Sequence, residues 1–160
     1  MPIKHNSKVL YLGAGNGTTA SHVSDIATEG TVYCVEFSSR AFRDLLNVSK
    51  SRKNMFPILE SAFYPEWYKT LVGTVDVIYQ DVSQRDQAKA FIANAKQFLS
   101  ASGFGIFMIK SRSIDMTRAP ELIFKEVIKQ LRSSGFQVIE HVRLEPYTKD
   151  HLGLILKFKW

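Results

Sequence analysis

A single cysteine, Cys34, stands among the 160 residues. One thiol excludes an internal disulfide and a thiolate metal site, and it points to a reducing, intracellular setting. Cys34 lies inside an apolar run, the place of a small buried hydrophobe. Long hydrophobic runs are missing as well. None reaches the ~20 residues that span a bilayer, and the opening MPIKHNSK has no signal-peptide core. His5, His22 and His141 lack cysteine or carboxylate partners at ligand spacing, so the sequence offers no metal site. Absent too are the Gly-Lys-Ser/Thr of a nucleoside triphosphate loop and the Gly-x-Gly-x-x-Gly of dinucleotide sites. There is no internal repeat, low-complexity stretch or interdomain linker. The length suits one domain, residues 1–160, with its own core.

What the chain does have is an uneven charge. Residues 1–80 carry 8 Lys/Arg against 7 Asp/Glu, while residues 81–160 carry 13 against 8. The net charge of +6 therefore sits almost wholly in the second half. That asymmetry suits a polyanion such as RNA, and equally a solvated basic surface.

The most informative stretch is Lys8 to Phe37, KVLYLGAGNGTTASHVSDIATEGTVYCVEF. A short apolar run rich in strand formers leads into Gly13, Gly15 and Gly17, then into a helical segment from Thr18 to about Ala27. A second apolar run, Thr31 to Val35, ends on Glu36. Strand, glycine turn, helix, strand and carboxylate make half of a nucleotide-binding α/β sheet. Glycines let the backbone turn sharply and approach a ligand closely. A carboxylate closing the second strand can accept two hydrogen bonds from ribose hydroxyls. With no pyrophosphate signature, the spacing points to a nucleoside carried without one, and S-adenosylmethionine (SAM) fits best.

The remaining chain alternates strand and helix. Ser38 or Ser39 caps a helix with Ala41, Phe42, Leu45, Leu46 and Val48 at helical spacing. Asn54–Leu59 reads as strand three despite Pro57, and Pro65 opens a short helix reaching about Gly73. Val75–Tyr79 is strand four, with Asp81 just past its end. A long helix covers Asp86–Leu99, strand five covers Gly103–Ile109 with Lys110 at its tip, and Ser111–Ala119 is a loop. Pro120 opens a helix to Ser133, stopped by Gly135. Two final strands, Phe136–Leu144 and Leu152–Phe158, flank a polar turn. This order predicts an α/β, Rossmann-like SAM-dependent methyltransferase fold. It has a mostly parallel seven-stranded sheet, an antiparallel last strand and helices on both faces. Ligands gather at the carboxyl ends of strands one to four. Asp81 and Lys110 end neighbouring strands there and can converge, as a working pair or as a plain salt bridge. Trp67 and Tyr68 read as helix packing or a partner contact.

Several segments are specific. Lys8–Asp25, Val35–Ser38, Asp76–Gln84 (DVIYQDVSQ), Ile109–Asp115 (IKSRSID) and Leu144–His151 (LEPYTKDH) closely resemble the motifs of fibrillarin, in order along nearly the whole chain. The archaeal fibrillarin-like proteins are most similar. The resemblance implies SAM-dependent 2′-O-methylation of ribose in rRNA, and in tRNA, within a ribonucleoprotein. Its implied partners are a box C/D guide RNA, the rRNA target, a Nop-type scaffold protein and a kink-turn-binding protein of ribosomal type, with no membrane. The implied setting is cytoplasmic in an archaeal-type cell and nucleolar in a eukaryotic one. A Gly/Arg-rich tail and the small N-terminal domain that usually precedes Pro-Ile-Lys are expected to be lacking. Two alternatives remain: a non-catalytic subunit that keeps the fold for assembly, and a methyltransferase acting on a protein glutamine.

By resemblance, Gly13, Gly15 and Gly17 form the turn, and Thr18 and Thr19 lie along the methionine end. Glu36 takes the ribose hydroxyls, Phe37 lies against the adenine, and Asp81, Val82, Ser83 and Gln84 border the sulfonium. Ser61 and Ala62 sit at the adenine, where the family usually reads Gly-Asp-Ala and this chain reads Glu60-Ser61-Ala62. Either Glu60 shifts to meet the adenine amino group, or Ser61 bonds it more weakly, or affinity falls. The implied catalytic residues are Lys4, Asp81, Lys110 and His151. Asp81 orients the hydroxyl or accepts its proton, and His151 positions the ribose or relays the proton. Lys110 stabilises the developing alkoxide, the role its acidic neighbour favours over that of a base. Lys4 braces the substrate or the Asp81 side. Arg112, Arg118, Arg143 and Lys149 are candidates to meet RNA phosphates around the mouth, and each reads equally as a solvated surface charge.

Overall fold

Seven apolar runs pair into one sheet, and the pairing is what creates the site. A computed structural model of the chain describes residues 2–159. The strands are β1 (Lys8–Leu12), β2 (Thr31–Glu36), β3 (Met55–Leu59), β4 (Val75–Gln80), β5 (Leu99–Lys110), β6 (Phe136–Arg143) and β7 (His151–Phe158). Their spatial order is β3-β2-β1-β4-β5-β7-β6. The first five are mutually parallel, and β7 enters antiparallel between β5 and β6. This is the mixed, Rossmann-like sheet expected from the sequence.

β1 shows why the strands are apolar throughout rather than alternating. Helices cover both faces, so both sets of side chains are buried. Val9 and Tyr11 join one core with α1 (Thr18–Ile26) and α2 (Ser39–Ser49). Leu10 and Leu12 join the other, with α3 (Gln87–Phe98) and α5 (Pro120–Ser133). Cys34 is fully buried in the first core, and burial pushes its thiol up to about 12. β1 pairs with β2 on one side and β4 on the other. The chain reverses its direction of winding there, and such a switch point opens a crevice at the carboxyl ends of the strands.

Boundaries differ from the sequence expectation in three places. β5 begins at Leu99, directly from α3, because Leu99 pairs with Val75 across a register shift that the polar run Ser100–Gly103 conceals. Pro65–Trp67 is a single 3-10 turn rather than a helix to Gly73. Within the expected loop, Ser111–Ile114 forms one helical turn, α4. Pro57 is tolerated because β3 is an edge strand. Among the described residues no helix is long and apolar enough to cross a membrane.

Candidate active site

The crevice at the switch point is a cleft of about 360 Å³. Its floor is the glycine turn. Gly13 has φ +80, and a Cβ there would lie 2.6 Å from the Asp81 carbonyl oxygen, so only glycine lets the turn pass this close to the tip of β4. Asn16 finishes the turn: its Oδ1 accepts from Thr18 N at 3.2 Å and Thr18 Oγ1 at 2.9 Å, an Asx turn that leads into α1.

Glu36 is buried, and its carboxylate is held from two sides. Gly15 N donates to Oε2 and Ser38 N to Oε1, each at 2.8 Å. Each oxygen keeps a further lone pair toward the cleft, which Glu36 lines. Two fixed acceptors beside an exposed aromatic ring, Phe37, fit the vicinal hydroxyls and flat base of a nucleoside. The opposite wall is the segment after β3, carrying Glu60 and Ala62. Ala62 is anchored from beneath: buried Asn94 donates to its carbonyl at 2.7 Å, and Asn94 Oδ1 accepts from the Tyr68 hydroxyl at 2.5 Å.

At the far end stand Asp81 and Lys110, brought together by the parallel pairing of β4 and β5. Lys110 Nζ lies 2.7 Å from Asp81 Oδ1 and donates to Ser83 Oγ at 3.0 Å. Both side chains are mostly covered, at 20% and 28% exposure, so the pair is screened less than a surface ion pair. Beneath it Tyr11 and Tyr79 stack with centroids 4.6 Å apart. Burial, and then the neighbouring Asp81 charge, push the Tyr79 phenol up to about 12 and the Tyr11 phenol higher still. Both remain neutral at working pH and act only as packing and hydrogen-bonding groups.

His151 begins β7 directly opposite Lys110. Opposed residues of an antiparallel pair share a face, so the two side chains leave the sheet on the same side. Its Nδ1 sits 2.6 Å from the Lys149 carbonyl. That contact puts the proton of the neutral ring on Nδ1 and leaves Nε2 with the free lone pair. The preceding turn is anchored to α4: the Asp150 carbonyl accepts from Ser111 N at 3.2 Å and Ser111 Oγ at 3.0 Å.

The structure thus brings Gly13, Gly15, Thr18, Thr19, Glu36, Phe37, Ala62, Asp81, Val82, Ser83, Gln84 and Lys110 around one cleft, while His151 pairs with Lys110 in the sheet without lining the cleft. Four expectations need correction. Lys4 precedes β1, and the cleft lies beyond the other end of that strand. At about 3.3 Å per residue, the five residues of β1 separate the two. Lys4 instead turns into β1, its N–H donating to Ser7 Oγ at 2.9 Å, with its side chain exposed. Ser61 does not line the cleft; its hydroxyl accepts from Phe63 N at 3.3 Å, and Glu60 takes the place beside Ala62. Gly17 is no wall of the cleft either. With φ +90 it starts α1, and a Cβ there would press on Leu45. Finally, three of the four cations expected for RNA are already paired: Arg112 with Asp150 at 2.8 Å, and Arg118 with Glu126 and Arg143 with Glu121 at 2.6 Å each. Tyr11 and Asn94 are given no functional role by any motif of the sequence. Asn94 carried a signal, a polar residue on the same helical face as Phe91 and Ala95.

The family model described as Fibrillarin matches residues 1–160. The fibrillarin-like rRNA/tRNA 2′-O-methyltransferase of Methanothermobacter thermautotrophicus is 53% identical over 155 residues, covering 97% of this chain and 69% of that protein. Among solved structures, the fibrillarin of a fibrillarin–Nop5p complex superposes with a TM-score of 0.94 at 41% identity, over 98% of this chain and 74% of that one. Aeropyrum pernix fibrillarin, in complex with natively bound S-adenosyl-L-methionine, gives 0.89 at 44% identity, over 98% of this chain and 68% of that one. Matched over its full length in sequence and nearly so in fold, the chain belongs to the fibrillarin family.

Proposed function

We propose that this chain methylates the 2′-hydroxyl of ribose in rRNA, and in tRNA, using SAM, inside a guide-RNA particle. The observation that carries the proposal is the Asp81–Lys110 pair, 2.7 Å apart at the end of a cleft floored by the glycine turn and Glu36. Bound SAM supplies a methyl group already activated by its sulfonium. The chain's own residues then have to align a weak nucleophile and manage one proton. Glu36 and Glu60 would hold ribose and adenine edges, and Phe37 would cover the base. Asp81 would accept a hydrogen bond from the incoming 2′-hydroxyl and receive its proton. Lys110, paired with the adjacent carboxylate, would stabilise the developing alkoxide. His151, paired with Lys110 across the β5–β7 ladder, would orient the same hydroxyl through Nε2.

RNA as substrate is supported by charge that is free to meet it. Lys125, Lys129 and Arg132 recur at i, i+4 and i+7 along α5 and line a groove of about 530 Å³ against β6. Among the described residues these three have no ion-pair partner, unlike Arg112, Arg118 and Arg143. A Nop-type scaffold is supported by the Nop5p-bound relative. Box C/D guide RNA and a kink-turn-binding protein complete the proposed particle, because nothing in this fold reads a base sequence.

Reconstitution with those partners and radiolabelled SAM is expected to methylate the guided nucleotide. Lys110→Ala and Asp81→Ala should each reduce transfer by about 100- to 1,000-fold, with SAM affinity within about threefold of wild type by calorimetry. Undiminished transfer in both variants would overturn the assigned roles. Label appearing on a protein glutamine instead of RNA would overturn the substrate.

A further inference from the structure

β5 outruns its parallel neighbour. β4 ends at Gln80, which pairs with Phe107, so Met108, Ile109 and Lys110 have a strand partner only on the β7 side. At the tip of β5 the missing partner is replaced by one side chain. Gln87, fully buried at the start of α3, donates from Nε2 to the Lys110 carbonyl and accepts from the Lys110 N–H at Oε1, both at 3.2 Å. A primary amide offers the same donor and acceptor as a peptide group, so Gln87 adds one rung where β4 stops. Its own backbone is fixed in turn: Gln80 Nε2 donates to the Gln87 carbonyl at 2.7 Å. Gln80 is also fully buried, and among the described residues its Oε1 has no hydrogen-bond partner. An apolar side chain would avoid that cost, so Gln80 is paired to Gln87 at the expense of local stability.

We propose that Gln87, supported by Gln80, is a positioning residue for methyl transfer: it fixes the backbone of Lys110 and so aims the ammonium at Asp81 and Ser83. The proposal rests on the role of Lys110 given above. Lys110 ends its strand, and the next residue already belongs to α4. With β7 alone, its backbone is held from one side. The clasp holds it from the other, and only glutamine does both halves of this. Asparagine is one methylene short, glutamate cannot donate to the carbonyl, and methionine fills the volume but bonds neither group.

Two variants test it, Gln87→Met and Gln87→Glu, each with three readouts. In reconstituted particles kcat should fall by roughly 10- to 100-fold, since sub-ångström displacement of a catalytic group has effects of that order. SAM affinity should stay within about twofold, because Glu36 and the glycine turn are untouched. The 15Nζ resonance of Lys110, identified by its loss in Lys110→Arg, should broaden beyond detection as its contacts with Asp81 and Ser83 loosen. Wild-type kcat together with a retained Lys110 resonance in a folded variant overturns the proposal. Should Gln87→Met fail to fold, Gln87→Glu, which keeps the volume and the acceptor, is judged by the same criteria. The resonance needs no RNA, so a wild-type chain without methyl-transfer activity would sink the functional reading while the resonance still decides the clasp.

Discussion

The two halves of the cleft are built by different means. On the cofactor side, formed by β1 and β2, the wall is backbone. Gly13 N donates to the Val35 carbonyl at 2.9 Å, and Glu36 is clamped by two main-chain N–H groups. On the side formed by β4 and β5, where the substrate is proposed to enter, Lys110 is held by side chains from distant parts of the sequence: Gln87 on its backbone and Ser83 on its ammonium. A main-chain wall depends on a few residues close in sequence and tolerates little else at those positions. A side-chain scaffold reaches across the sequence, and each piece sets the geometry of the one group it holds. The cofactor side should therefore respond to single changes through binding and stability, and the substrate side through kcat.

The sharpest way to break this contrast is Gly13→Ala. The new Cβ meets the Asp81 carbonyl at 2.6 Å, and the backbone at φ +80 is strained for any L side chain. Clash and strain together should lower stability by about 3 kcal/mol, read as a shifted urea midpoint, and SAM affinity should drop by more than tenfold. Gly15→Ala is the control. It has φ +56 but nothing within 4 Å of the added atom, so only the strain remains, ~1 kcal/mol. Equal losses at the two glycines would show that close approach to Asp81 does not matter.

Next in size is Glu36→Gln. The amide keeps the shape, but its NH₂ must face either Gly15 N–H or Ser38 N–H, donor against donor. Hydrogen bonds to a charged group contribute ~1.5–3 kcal/mol, so SAM affinity should fall by roughly 10- to 100-fold. The thermal midpoint should fall as well, since buried Glu36 loses one of its two main-chain partners whether or not SAM is bound. A variant with normal SAM affinity but reduced kcat would reverse the division between the two halves.

The same division explains what was legible in the sequence. The alternation of strands and helices, the glycine turn and the position of Glu36 at the end of β2 all follow from local patterns within about 30 residues, and the structure has them in that order. Asp81 and Lys110 could be placed because strand tips are positions in a periodic pattern. The clasp of Gln87 on Lys110 spans 23 residues and that of Asn94 on Ala62 spans 32, and no periodicity links such partners. Lys4 shows the opposite case. It precedes a strand that runs toward the glycine turn, so strand direction alone puts it on the far rim, whatever the family motifs imply. The paired arginines show a third case, because a charge count cannot tell a free cation from one that Glu121, Glu126 or Asp150 already neutralises.

The smallest expected effect decides between neighbours in the adenine wall. Glu60 lines the cleft with a carboxylate, an acceptor suited to the amino group of an adenine. Ser61 spends its hydroxyl on Phe63 N, inside the turn that follows β3. Glu60→Ala should lower SAM affinity by about tenfold, the weight of one charge-assisted hydrogen bond at a partly open site. Ser61→Ala should leave it within about twofold and cost only turn stability, and Ser61→Asp should gain nothing because position 61 does not line the cleft. Calorimetric titration of the three variants reads both residues on one scale. If Ser61→Asp instead tightened SAM binding, the segment would have to swing by one residue when the nucleoside enters. This wall would then belong with the adaptable substrate side rather than with the fixed main-chain frame of Gly13 and Glu36.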